Sequence, residues 1–155
     1  MRLKNWVKSP GPIIPQELKD KFEIVASYPL NDREAKLFSI TLNCVVNELK
    51  KDNVEFENLH MLTAIITRDG EFTLTIPDKT TLGTRICLAT YAVERWRNLN
   101  YGDNQIMMVI AEELCHHYWN IEDEVKVKYK VFNIIKDIFP GATFQQFYTI
   151  QKEEL

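Results

Sequence analysis

The groups in this chain that could do chemistry are concentrated in a run of six residues beginning at Glu112. The run reads Glu-Glu-Leu-Cys-His-His and ends at His117. On a helix, residues three or four positions apart share a face, which pairs Glu112 with His116 and Glu113 with both histidines. Side chains one turn apart can bind one cation, and carboxylates and imidazoles can transfer protons. We therefore take this run as the candidate functional centre.

A further ligand for the same centre could come from the acidic residues that follow. Glu122, Asp123 and Glu124 lie a few positions beyond the run, at the start of a predicted helix. Each offers a carboxylate oxygen, and His117 offers an imidazole as an alternative. The sequence leaves the choice among these four residues open.

A long helix is predicted well before the centre. Asn31 is a suitable N-cap, and Glu34 three residues later completes a capping-box pattern. Apolar residues then recur at helical spacing, which predicts a helix over residues 32–51. The preceding residues 1–30 contain several prolines and are predicted to be an N-terminal arm, with only a short helix near residues 16–22. Residues 31–155 are predicted to form a single domain.

An antiparallel hairpin and a third strand are predicted in the middle of the chain. Met61–Thr67 and Glu71–Ile76 are rich in β-branched and apolar residues, and Asp69-Gly70 between them is typical of a tight turn. Arg85–Val93 alternates like a strand, although a helix is the alternative interpretation.

Two helices are predicted after the strands. Asp103 could cap a helix that runs to about Trp119 and carries the candidate centre. Asn120 could cap a helix over residues 121–138, before a short amphipathic tail. The predicted fold class is α+β.

The order of these elements resembles a minimal zincin metallopeptidase core. The hallmark of that family is H-E-x-x-H on the active-site helix, with two histidines that bind zinc and a glutamate that activates water. The resemblance implies that His116 is the second ligand, that Glu113 is the catalytic base and that Glu112 takes the place of the first histidine. Glu122 has the spacing of the third ligand in metzincins, but Trp119 stands where those proteins have glycine.

The replacement of a histidine by Glu112 changes the metal chemistry that the resemblance implies. A set of carboxylates with one imidazole is harder and more anionic than a set of two histidines and one glutamate. The preference for zinc therefore weakens in favour of manganese or iron. Because of the added negative charge, the metal would lower the pKa of its bound water less than in a site with two histidines. We therefore expect peptidase activity to be weak, altered or absent.

Bulk composition excludes several classes of function. Net charge is −3, with 19 basic and 22 acidic residues, which argues against a nucleic-acid binder held mainly by phosphate contacts. No apolar run approaches the roughly 18 residues of a membrane span. The 3 cysteines, Cys44, Cys87 and Cys115, are widely spaced, as expected in a reducing compartment. These features predict a cytoplasmic protein.

Three functions are consistent with these patterns. The first is a zincin-like protein that binds a divalent metal, with a degenerate or atypical peptidase as the activity that the resemblance implies. The second is a non-catalytic interaction module on the same scaffold, which binds a peptide or protein partner along an exposed strand edge. The third takes Glu113-x-x-His116 as half of a di-iron carboxylate site, which requires long bundle helices that the hairpin disfavours.

Overall fold

The computed structural model describes residues 2–75 and 86–148 of the chain. The strands are β1 (Arg2–Leu3), β2 (Phe22–Ala26), β3 (Leu62–Thr67), β4 (Leu74–Thr75) and β5 (Leu88–Ala92). The helices are α1 (Asp32–Lys51), α2 (Val93–Asn98), α3 (Asp103–Tyr118), α4 (Glu124–Ile135) and α5 (Phe144–Phe147), with short 3-10 helices at Gln16–Leu18 and Phe56–Asn58. The predicted mixed α and β class is confirmed.

The main sheet is parallel, with β3 between β2 and β5. Ala64 of β3 is opposite Ile24 on one side and Ala89 on the other. All residues of β3 are buried, which is usual for the interior strand of a parallel sheet. Helix α1 supplies the crossover that parallel β2 and β3 require.

The predicted antiparallel hairpin is wrong. Strand β3 pairs with two parallel strands, whereas β4 pairs with β1 in a separate two-stranded antiparallel sheet. The turn at Gly70 is present, with a φ of 96° that favours glycine. After this turn the chain pairs with its own N-terminus instead of with β3. The predicted third strand is confirmed as β5, while Ile76, residues 77–84 and Arg85 lie outside the described residues.

The first thirty residues contribute to the sheet, although the sequence predicted an arm there. Strand β2 forms an edge of the parallel sheet. The Val7 amide donates a hydrogen bond to the Ala26 carbonyl at 2.9 Å, so the preceding segment runs beside that edge. The predicted short helix is found as the 3-10 helix at Gln16–Leu18.

Helix α1 has the bounds and the capping box that the sequence predicted. The Asn31 side chain accepts from the Glu34 amide at 2.8 Å, and the Asn31 amide donates to Glu34 Oε1 at 2.9 Å. Glu34 is also buried and accepts both arms of the Arg97 guanidinium, at 2.7 and 3.1 Å. The same carboxylate therefore caps α1 and ties it to α2.

The predicted caps of the two later helices are wrong by one residue for α3 and by three residues for α4. Gly102 is the N-cap of α3, and Asp103 bonds to Arg33 instead. Asn120 has a φ of 53°, a left-handed conformation that asparagine tolerates, so it ends α3 and does not begin α4. Asp123 is the N-cap of α4, with hydrogen bonds from the amides at positions 125 and 126.

The core lies between the parallel sheet and helices α1, α3 and α4. Phe38, Tyr91 and Trp96 form an aromatic group with ring centroids 5.2 to 6.4 Å apart. The buried Tyr91 hydroxyl donates to the Ile110 carbonyl at 3.1 Å, which fixes α3 relative to β5. Within the described ranges, no helix has the length and apolar character to cross a membrane.

Candidate functional site

Helix α3 divides the candidate run between the core and the surface. Cys115 is fully buried, and burial raises the pKa of its thiol well above its ordinary value. A thiol in this environment stays protonated and is a poor nucleophile. Glu112, Glu113, His116 and His117 are half-buried on the outer side of the helix. The polar members of the run are therefore the ones available for chemistry.

The His116 imidazole is held in one orientation by the backbone. Its Nδ1 lies 2.5 Å from the Ile121 carbonyl oxygen, and because a carbonyl can only accept, Nδ1 carries the proton. In the neutral ring Nε2 then has a lone pair. Nε2 lies 3.7 Å from Glu124 Oε1, at the start of α4. His116 can therefore act as a hydrogen-bond acceptor or metal ligand on the side that faces Glu124.

Glu112, Glu113, His116 and Glu124 form what we call the acidic cluster. Burial raises the pKa of Glu112, and the charges of Glu124 and Glu113 raise it further, while His116 and Lys128 oppose them. Burial also raises the pKa of Glu113. The charge of His116 opposes this shift, and the charge of Glu124 adds to it. The two glutamates thus lie in a site that is partly desolvated and has an excess of negative charge.

The structure brings Glu124 to His116 and assigns other positions to the alternative ligands. Glu122 and Glu124 are both exposed, but Glu124 is the one placed 3.7 Å from His116, whereas Glu122 lies in the segment before α4. Asp123 caps α4 through Oδ1. His117 donates from Nε2 to the His60 carbonyl at 2.8 Å. Of the acidic residues proposed for the third ligand, Glu124 is therefore the one in place beside His116.

The zinc site that the resemblance implies does not fit this arrangement. Within residues 2–75 and 86–148, no three histidine, cysteine, aspartate or glutamate side chains are arranged to hold a metal ion. His116 Nε2 and Glu124 Oε1 supply two facing donors, whereas a catalytic zinc usually has three protein ligands. The role of Glu113 as a catalytic base stays a prediction.

The sequence contains a second Glu-x-x-His, which the di-iron interpretation would need. It consists of Glu57 and His60, in and after the 3-10 helix at Phe56–Asn58. The His60 carbonyl, not its imidazole, contacts His117. Because this copy lies on a short turn instead of a long bundle helix, the arrangement gives no support to a di-iron centre.

A cleft between α3 and the end of α5 adjoins the acidic cluster. It has a volume of about 390 Å³, and we call it the α3–α5 cleft. Its lining combines apolar and aromatic side chains with amides and one carboxylate: Tyr101, Asn104, Gln105, Met108, Val109, Glu112, Gln146, Phe147 and Tyr148. The Tyr148 hydroxyl lies 3.5 Å from Glu112 Oε1, so the carboxylate faces this cleft.

Aromatic packing on α4 positions the second wall of the α3–α5 cleft. Phe144 stacks on Tyr129 with ring centroids 4.2 Å apart, and Phe147 contacts Phe132 at 5.9 Å. Tyr148 follows Phe147 directly, so this packing sets where its ring lies. Sequence analysis did not predict the cleft. The α3 wall has a visible signal in the helical spacing of its lining residues, but the docking of α5 depends on contacts distant in sequence.

The α3–α5 cleft is not the candidate ligand site because of its volume. A larger hollow of about 580 Å³ lies beside β1 and β4, lined by Lys4, Asn5, Ser27, Gly70, Glu71, Phe72 and Thr73. Its lining contains no member of the acidic cluster. Ligand sites combine apolar walls with a few convergent polar groups, and perturbed carboxyl pKa values often mark them. The α3–α5 cleft has these properties through Glu112.

Comparison with known proteins gave no match: no family model, curated protein or solved structure is significantly similar to this chain. The zincin resemblance therefore depends on the motif residues alone and stays a prediction.

Proposed function

We propose that this chain is a non-catalytic binding module whose ligand occupies the α3–α5 cleft. The observation that carries the proposal is the lining of the cleft, in which apolar and aromatic walls surround the half-buried Glu112. Its volume of about 390 Å³ lies at the lower end of the roughly 300–1,000 Å³ usual for small-ligand sites. The site is suited to one large side chain of a peptide or to a small molecule.

The positions of the acidic residues favour binding over hydrolysis. A zincin-like peptidase needs a metal held by three protein groups and a glutamate beside the metal-bound water. The described residues bring two donors together, His116 and Glu124. The role that we propose for Glu112 is therefore contact with a ligand in the cleft, where its carboxylate faces Tyr148.

An amide-resolved NMR titration with phenylacetamide tests this function. This probe has an aromatic ring for the apolar walls and an amide for the polar rim. We expect the largest shift changes at the backbone amides of residues 104–112 and 146–148. Met108→Trp should abolish these changes because the larger side chain fills the cleft.

The matched control is Met61→Trp, which makes the same substitution at an exposed methionine outside the lining. We expect the probe to bind this variant as it binds the unmodified chain. Shift changes that survive Met108→Trp, or that centre on another part of the molecule, would contradict the proposal.

A divalent-cation site at His116 and Glu124 is a second candidate function. The 3.7 Å between Nε2 and Oε1 is close to the roughly 3.4 Å between two ligands in a tetrahedral shell with bonds near 2.1 Å. A cation here would also offset the negative charge of Glu112 and Glu113. A set of one imidazole and one carboxylate in acidic surroundings favours manganese or iron over zinc.

Manganese titration separates this candidate from the first. Paramagnetic Mn²⁺ should broaden the NMR signals of His116 and its neighbours, and His116→Ala should abolish the broadening. His60→Ala, at an exposed histidine, is the control. Equal broadening in the His116→Ala and His60→Ala variants would show that the cation does not bind at His116. An absence of broadening in the unmodified chain would also contradict this candidate function.

A further inference from the structure

We infer that the α3–α5 cleft recognises a guanidinium group, as presented by an arginine side chain of a peptide. This inference rests on the proposed function and names the chemistry of its ligand. It depends on three properties of the described residues: the charge around Glu112, the aromatic rings beside it, and the fixed positions of the amides at the rim.

The first property is an excess of negative charge around Glu112, which lines the cleft. Glu112 lies in the lining, and Glu113 and Glu124 are close enough to raise its pKa through their charges. The charges of His116 and Lys128 lower the pKa of Glu112. With three carboxylates against one ammonium and a histidine, a cationic ligand is complementary to the site, whereas an anionic ligand would be repelled.

The second property is the aromatic character of the walls. Tyr101, Phe147 and Tyr148 line the cleft together with Glu112. The Lys128 ammonium already lies 5.9 Å from the centroid of the Tyr148 ring, so this ring has a cation near one face. A guanidinium suits such a site better than an ammonium, because its plane stacks on rings while its edge donates to a carboxylate.

The same combination occurs elsewhere in this chain with an arginine in place. The Arg97 guanidinium lies 5.2 Å from the centroid of the Tyr28 ring and donates to both carboxylate oxygens of Glu34. In this fold, the side chains of Tyr28 and Glu34 therefore bind one guanidinium together. In the α3–α5 cleft, Tyr148 and Glu112 present the corresponding groups.

The third property is a rim whose amides are held before any ligand arrives. Gln105 Oε1 accepts from the Gly102 amide at 2.8 Å, and Gln146 Oε1 accepts from the Thr143 amide at 2.8 Å. Each glutamine thereby caps the helix on which it lies. Side chains fixed in this way lose little conformational entropy on binding, which favours affinity in a small site.

The test compares N-acetyl-L-arginine N-methylamide with N-acetyl-L-citrulline N-methylamide by NMR titration of the full chain. Citrulline has nearly the same shape as arginine but is neutral. We expect the arginine probe to shift the cleft amides with roughly tenfold higher affinity than the citrulline probe, as a charge-assisted hydrogen bond predicts. Glu112→Gln should remove this preference while binding of the citrulline probe is retained.

Glu55→Gln is the matched control, because Glu55 is exposed and does not line the cleft. It should keep the preference for the arginine probe. Equal affinity of the two probes for the unmodified chain would overturn the inference and leave the proposed function in place. If neither probe nor phenylacetamide shifts the cleft amides, both the inference and the proposed function are wrong.

Discussion

At the residue scale, Glu112 is the residue whose interpretation changes most. The sequence placed it where zincins have their first histidine, which predicted a metal ligand. In the structure its carboxylate faces Tyr148 across the α3–α5 cleft, and its neighbours Glu113 and Glu124 are also acidic. The residue types of the site could therefore be predicted from sequence, but the direction in which each side chain faces could not.

The raised pKa of Glu112 has a consequence for stability. Burial, followed by the charges of Glu124 and Glu113, makes its ionised form less favourable in the folded chain than in the unfolded chain. The folded state therefore binds the proton more tightly, and this group favours folding below its ordinary pKa of 4.5. That contribution is lost as pH rises through the raised folded pKa.

Glu112→Gln should accordingly stabilise the chain at pH 7, because it removes the ionised carboxylate. We expect a gain of about 0.5 kcal/mol in the free energy of unfolding, kept small by solvent screening of a half-exposed group. Chemical denaturation at several pH values measures it. The gain should shrink as pH falls towards 4.5. A gain that is independent of pH would contradict this explanation, and Glu55→Gln supplies the baseline.

At the element scale, local signals predicted helices better than they predicted helix ends. The capping box of α1 was found because its two residues lie three positions apart and act on each other. Asn120 was misplaced because asparagine serves equally well as an N-cap and as the left-handed residue that ends a helix. Only the packing of α3 against α4 decides between the two roles.

An ionic network joins α4 to α1 and to the end of α3. The Lys130 ammonium contacts Glu48 Oε1 at 3.1 Å and also binds Asp52. It lies 4.8 Å from the centroid of the Trp119 ring, whose Nε1 donates to Asp52 at 2.8 Å. Because α4 carries Glu124 and supports α5, this network holds both sides of the candidate site.

Lys130→Met should destabilise the fold by about 2 kcal/mol, since it leaves the largely buried Glu48 carboxylate without its counter-ion. Lys126→Met is the control, because Lys126 is exposed on the same helix. We expect that control to change stability by no more than about 0.5 kcal/mol. Equal effects of the two substitutions in thermal or chemical unfolding would show that the network does not stabilise α4.

At the scale of the whole molecule, strand pairing was the property that sequence did not determine. Residues 71–76 alternate in a way that suits any neighbouring strand, so the nearby turn at Gly70 suggested a hairpin. The run Leu-Thr-Ala-Ile-Ile-Thr of β3 contained the contrary signal, because a continuous buried strand is typical of a parallel interior position. Strand β2 was missed because its short pattern gives a weak periodic signal.

The same limit applies to the candidate site. The sequence predicted helix α3, which forms one wall of the cleft, but not the wall itself. The second wall is formed by α5 and Tyr148, which reach α3 through the aromatic contacts on α4. Such contacts depend on the complete fold, and no local pattern predicts them. The cleft thus arises from three helices whose relative positions only the structure gives.

Crystals soaked with a panel of small aromatic amides and guanidines would test most directly whether the α3–α5 cleft is the binding site of this chain. We predict that fragments collect in the cleft, with guanidines placed against Glu112 and Tyr148. A cleft that stays empty while the same fragments occupy another surface would contradict the proposed function.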